Sequence, residues 1–103
     1  MIYKIITTSN FEIEFQKIFD YISFNLKEPL VAKKFYSKII SSITSLNYFP
    51  ERYPKFSDFK NHDSNIRKLI VGKYVIIYQV KKDSHQIFIL HIFHCSQNYL
   101  NLF

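Results

Sequence analysis

"NIRKLIVGKYVIIYQVKKDSHQIFILHIFHCSQNY", Asn65 to Tyr99, is the stretch on which the fold turns. Ile66 to Val71, Tyr74 to Lys81 and Gln86 to His94 are rich in β-branched and aromatic residues, and Gly72–Lys73 and the polar turn "KKDSH" separate them. Strands joined by such tight turns form an antiparallel meander. In the middle run Tyr74, Ile76, Tyr78 and Val80 share one face while Val75, Ile77 and Gln79 share the other, so both faces are largely apolar and this strand is central. Arg67 falls with Leu69 and Val71, and Lys68 with Ile66 and Ile70, which sends the two cations to opposite sides. In the last run Ile87, Ile89, His91 and Phe93 point one way and Phe88, Leu90, Ile92 and His94 the other. Without a bulge the two histidines diverge and make poor joint metal ligands, so no metal site is expected.

Upstream, Ile2 to Thr7 reads as a first strand. In "SNFE" Ser9 is placed to cap a helix and Glu12 to reach back, a capping box. Phe11, Phe15, Ile18, Phe19, Ile22 and Leu26 then recur at spacings of three and four, the stripe of an amphipathic helix over about residues 10 to 26. Pro29 both stops this helix and suits the first turn of the next. The second helix carries Ala32, Phe35, Ile39, Ile43 and Leu46 on one face, with Lys33, Lys34 and Lys38 elsewhere as a solvated surface, and runs to about Tyr48. So short a connection makes the pair an antiparallel hairpin. "FPERYPKFSDFKNHDSN", Phe49 to Asn65, has two prolines and no periodicity and is a loop. The predicted class is α+β: an N-terminal strand, a helical hairpin and a three-stranded antiparallel meander (β-α-α-β-β-β), with the helices packed on one sheet face.

The 103 residues make one domain, 1–103, long enough to bury about two-thirds of its unfolded surface. Apolar residues are 48% and aromatics 18% of the chain, with one glycine, which excludes disorder and low complexity. One cysteine, Cys95, cannot form an internal disulfide. No signal peptide or membrane span is expected, and a reducing, cytoplasmic setting fits. The net charge of +6 is unevenly spread: residues 1 to 30 carry three Lys and four acids, a net −1, and residues 31 to 103 eleven Lys and Arg with four acids, a net +7. A basic half of this kind attracts nucleic acid or an acidic protein segment.

The order of these elements, with "FDYI" in the first helix, "SLNYFPERYP" after the second, "IRKLIVGKYVIIYQV" and "IFILHIFHCSQNY", resembles the RelE/ParE superfamily of toxins from bacterial type II toxin–antitoxin systems. The resemblance spans nearly the whole chain and is carried by Leu46 to Pro50, the "IR" opening the second strand, "Y-x-I-x-Y-x-V" from Tyr74 to Val80, and "I-x-H" from Ile92 to His94. It implies growth inhibition, plasmid stabilisation and a cognate antitoxin whose tail folds on binding and is acidic to match the basic half. It implies no cofactor. RelE-like members cut messenger RNA on the ribosome and ParE-like members poison DNA gyrase, so either the ribosome with its message or gyrase is the target.

Metal-free RNA cleavage needs a base for the 2′-OH, a cation for the phosphorane and an acid for the leaving oxygen. Cleaving relatives commonly place an arginine just before the "LVY" or "IFY" of the third strand; "VIIY" puts Val75 there. The resemblance therefore favours the ParE-like branch, with a RelE-like endoribonuclease as the alternative and a non-toxic basic nucleic-acid-binding module, or a decayed toxin, as a third reading. If the chain is a nuclease, Arg67, His94 and Tyr99 are the catalytic candidates. Lys60, Lys68 and Lys73 are the candidates for nucleic-acid or target binding.

Overall fold

The computed structural model describes residues 2–55 and 65–96. Strand β1, Lys4–Thr7, runs into helix α1, Ser9–Asp20, with Thr8 between them acting on both. The Thr8 hydroxyl accepts the Phe11 amide at 3.3 Å and so caps the helix, one residue earlier than the Ser9 that the sequence pattern suggests. Glu12 instead accepts the Thr7 hydroxyl at 3.0 Å.

Helix α1 does not continue as a regular helix to residue 26. It widens into one π-helical turn, Tyr21–Asn25, in which the Leu26 amide donates to the Tyr21 carbonyl at 3.0 Å. The extra residue in this turn shifts the phase of the apolar stripe. Ile22 stays buried, whereas Leu26, predicted to share its face, is 50% exposed. The turn closes when Lys27 takes a left-handed φ of 55° and the Glu28 amide reaches back to the Ile22 carbonyl at 3.1 Å. A left-handed residue just past a helix end is a common C-terminal stop, at a position glycine usually occupies. Pro29 opens α2, Pro29–Thr44, and a 3₁₀ turn, Ser45–Asn47, finishes the hairpin. Ala32, Phe35, Ile39, Ile43 and Leu46 are all buried, as their spacing predicts.

Strands β2 (Ile66–Val71), β3 (Tyr74–Lys81) and β4 (Gln86–His94) form the predicted meander. Gly72 opens the β2–β3 turn with a φ of +60°, which a glycine takes without strain. The sheet order is β1-β4-β3-β2, and β1 pairs in parallel with β4, from Lys4 opposite Gln86 to Thr7 opposite Ile89. The sheet is thus mixed: the helical hairpin carries the chain from β1 to the far edge, and the meander walks back to it.

A register shift between Ile77 and Tyr78 leaves Leu90 as an extra residue in β4, a β-bulge. Thr8 holds the bulge: its hydroxyl donates to the carbonyls of Ile89 at 2.8 Å and Leu90 at 3.2 Å. The bulge divides the predicted face sets. Ile87 and Ile89 pack under the helices, but beyond Leu90 it is Ile92 that does so, while Phe93 joins the opposite face. His91 and His94 still diverge, because the bulge lies before both. The main core joins Phe11, Ile22 and the α2 stripe to Leu69, Val71, Ile76, Tyr78, Val80, Ile87, Ile89 and Ile92. On the other sheet face Ile66, Val75, Ile77 and Phe93 form a smaller buried cluster. None of the described helices is long and apolar enough to cross a membrane.

Candidate functional site

Arg67 lies on the helix side of β2, opposite Tyr78, and its side chain is only 11% exposed. Its Nε donates to Asn65 Oδ1 at 2.9 Å, Nη1 to the carbonyls of Glu51 at 2.9 Å and Tyr53 at 2.6 Å, and Nη2 to Glu51 Oε2 at 3.3 Å. These bonds use four of the five N–H groups a guanidinium possesses. The planar fork thus fastens the segment after the helical hairpin onto the sheet. Tyr78, fully buried beside it, donates its hydroxyl to the Pro50 carbonyl at 2.6 Å, and burial pushes that hydroxyl far above its ordinary titration range. Glu51 also meets Lys82 from the β3–β4 turn at 2.9 Å. The bond to Lys82 holds the Glu51 carboxyl below its usual range against partial desolvation, helped by Asn65 and by the Lys82 and Arg67 charges.

His94 stands at the other end of the sheet, opposite Tyr74. Its Nδ1 accepts the Ser96 amide at 3.1 Å and lies 2.8 Å from the Ser96 hydroxyl, with its ring edge-on to Tyr74 at 5.5 Å. A backbone amide can only donate, so Nδ1 carries a lone pair in this arrangement. Burial also raises the Tyr74 hydroxyl above its ordinary range. Arg67 pairs with Tyr78 and His94 with Tyr74, four residues away along β3. Four strand residues cover about 13 Å, so these two candidates share a face but not a site. Lys73 sits exposed in the β2–β3 turn, where its carbonyl accepts the Cys95 amide at 2.8 Å, close to His94. Lys68 lies on the opposite sheet face from Arg67, as predicted, and its amide donates to the Pro54 carbonyl at 3.2 Å. Lys60 and Tyr99 lie outside the described residues.

Val75 is 7% exposed and belongs to the smaller cluster, among Ile66, Ile77 and Phe93. No cation could stand at that position without displacing apolar neighbours. Among the described residues no group of three or more His, Cys, Asp or Glu is placed to hold a metal ion.

Two features escape a reading of the sequence. The first is Glu14, whose carboxylate lies 3.0 Å from His91 Nδ1 and accepts the Ile92 amide at 3.1 Å. It thereby covers the edge of β4 beyond the point where β1 ends. Its one trace in the sequence is its place beside the Phe11–Phe15 stripe. The second is a groove of about 450 Å³ between the helices, with Phe11, Phe15, Phe19, Tyr36 and Ile40 as its apolar lining and Thr7, Glu12 and Gln16 as its polar rim. Phe15 stacks on Phe11 and on Tyr36, each at 5.4 Å. An open apolar trough with a polar rim suits an amphipathic segment laid between two helices.

A sequence model described as the ParE toxin of the type II toxin–antitoxin system parDE matches residues 5–99. Similar solved structures include the chromosomal ParDE system of P. aeruginosa, with a TM-score of 0.70, 18% identity, and 90% of this chain and 96% of that one covered. The RelBE2 toxin–antitoxin complex of Mycobacterium tuberculosis gives 0.64 at 14% identity, covering 94% and 95%. The archaeal RelE–RelB complex of Pyrococcus horikoshii gives 0.64 at 19% identity, covering 94% and 99%. At these identities the structures establish a shared fold. No curated protein matches the sequence.

Proposed function

The chain belongs to the ParE toxin family of type II toxin–antitoxin systems, and on that premise we propose that it arrests growth by inhibiting DNA gyrase through protein binding, without cleaving RNA. The observation that carries this reading is Val75. Where cleaving relatives hold the arginine that would meet a phosphorane, this chain has an apolar side chain buried among Ile66, Ile77 and Phe93. Among the described residues, the catalytic candidates Arg67 and His94 do not come together. Four of the Arg67 donors are engaged by its own fold, and His94 lies about 13 Å further along the sheet. General acid–base work needs its groups within about 3 Å of one reacting centre, or one water away.

The toxin acts in the cytoplasm and is neutralised by a cognate antitoxin. The groove between α1 and α2 receives an apolar ridge of an antitoxin segment that orders on binding. Acidic residues flanking that ridge would meet the net +7 of residues 31 to 103.

The test is induction of the gene in a bacterial host without its antitoxin, followed by gyrase supercoiling with the purified chain. Arrest with an SOS response and intact messages, together with lost supercoiling, is the expected result. Codon-positioned message cuts would instead establish the RelE-like nuclease. Unimpaired growth would refute both toxin activities and leave a decayed toxin or a non-toxic basic module.

A further inference from the structure

A cluster of cations on α2 belongs to none of the catalytic candidates discussed above. Lys33, Lys34 and Lys38 line one side of α2 together with Ser37 and Ser41, around a shallow depression. All five side chains are exposed, and among the described residues none of the three lysines has an acidic partner. The spacing is helical: 33, 37 and 41 form one row and 34 and 38 the next. Lys38 leans over the β2–β3 turn, its Nζ 3.7 Å from where a Cβ on Gly72 would stand. Lys73 follows Gly72 in the same turn, its side chain exposed, which adds a fourth cation at this end of the face.

The geometry points to a phosphate-tracking face on α2, formed by Lys33, Lys34, Lys38 and Lys73 with the Ser37 and Ser41 hydroxyls, that grips the backbone of double-stranded DNA. From residue 33 to residue 41 the helix advances about 12 Å. Over that length one strand of duplex presents three or four phosphates, at about 3.4 Å of axis each. The chemistry of the lining selects among polyanions. An acidic peptide draws its affinity from aromatic and aliphatic anchors in pockets, and the depression is lined by lysine and serine alone. Single strands need aromatic platforms for their bases, and no aromatic residue lines it. A duplex backbone asks only for cations and hydroxyl donors and is bound without regard to sequence. The choice of DNA over duplex RNA rests on the gyrase reading, since gyrase holds a DNA segment against which a bound toxin would set this face.

Fluorescence anisotropy of a short labelled duplex tests the face, using the full chain and its K33Q/K34Q/K38Q variant. Four phosphate contacts give a log–log salt slope near −3.6, which is about a 150-fold loss of affinity between about 50 and 200 mM salt. The variant, left with Lys73, is expected to fall to a slope near −0.9 and to lose only about three- to fourfold over the same range, while its thermal melt matches wild type. Should the triple variant fold poorly, Lys34→Glu alone must still weaken binding at low salt. Unchanged affinity and slope in the variants would overturn the proposal. So would a tighter, lysine-dependent affinity for an RNA hairpin of the same length, or for polyglutamate. Gyrase inhibition is measured on the same preparations: inhibition without duplex binding sinks this face and spares the gyrase reading, and duplex binding without inhibition does the reverse.

Discussion

Replacing Arg67 separates a structural role from a chemical one. Its side chain is 11% exposed and makes four hydrogen bonds, two of them to the backbone carbonyls of Glu51 and Tyr53. A hydrogen bond involving a charged group contributes about 1.5–3 kcal/mol, and breaking a buried charged pair costs about 3–5 kcal/mol. The bonds act as a unit and do not add. Glu51 is one-third exposed, so its share is discounted for solvent screening. On this reckoning Arg67→Ala should destabilise the chain by about 3 kcal/mol. For a domain of this size that lowers the melting temperature by about 12–24 °C. Arg67→Lys keeps the charge but loses the planar fork and should recover less than half of the loss. Urea unfolding of purified wild type and variants measures the effect, read as a shift in midpoint at constant slope. An Arg67→Ala chain that melts within about 0.5 kcal/mol of wild type yet no longer arrests growth would refute the reasoning and restore Arg67 to the chemistry.

Three further outcomes follow from the same structure. The Glu51 carboxyl is held below its ordinary value of 4.5, so its ion pair contributes stability above that pH and loses it as the pH falls through the lowered value; the melting-temperature advantage of wild type over Glu51→Gln should shrink in that acid window, and a constant difference would contradict it. Lys27→Gly relieves a left-handed φ of 55°, and calorimetry should show stabilisation of up to about 1 kcal/mol, whereas a loss would show that the strain is absent. Tyr36→Ala removes a half-exposed wall of the helical groove and should weaken antitoxin binding about tenfold or more by calorimetric titration; an unchanged affinity would place the antitoxin elsewhere.

Periodicity carries as far as periodicity holds. The meander, the helical hairpin and the separation of Arg67 from Lys68 were legible because each depends on a repeat of two or of three to four residues running unbroken. The bulge at Leu90 was not legible. "IFILHIF" has no glycine or proline to mark a break, and what permits the extra residue is Thr8, remote in sequence, which donates to the bulged carbonyls. The π-helical turn hides for the same reason, since the stripe from Phe11 to Leu26 also fits a regular helix. Of the candidate site, the cations could be named but not their partners. Glu51, Asn65 and Tyr53 engage Arg67 through a loop path that no pattern specifies. The lysines of α2, read as a solvated surface, gain a role only once Lys38 is seen to reach the β2–β3 turn that carries Lys73.

The pairing of β1 with β4 also sets a clock. Lys4 meets Gln86, so the edge strand made first must wait for the strand made last. At about 5–20 residues per second a ribosome needs about 4–16 s to make the chain between them. Until then the sheet cannot close, and contacts of such long range are among the slowest to form. A chain still on the ribosome therefore exposes the apolar residues of α1, Phe11, Phe15 and Phe19 among them, before the strands they pack against exist. The same delay exposes unpaired strand edges, which makes unassisted synthesis prone to aggregation. Early capture of these aromatic residues by a partner would shorten that exposure, linking neutralisation of the chain to its folding.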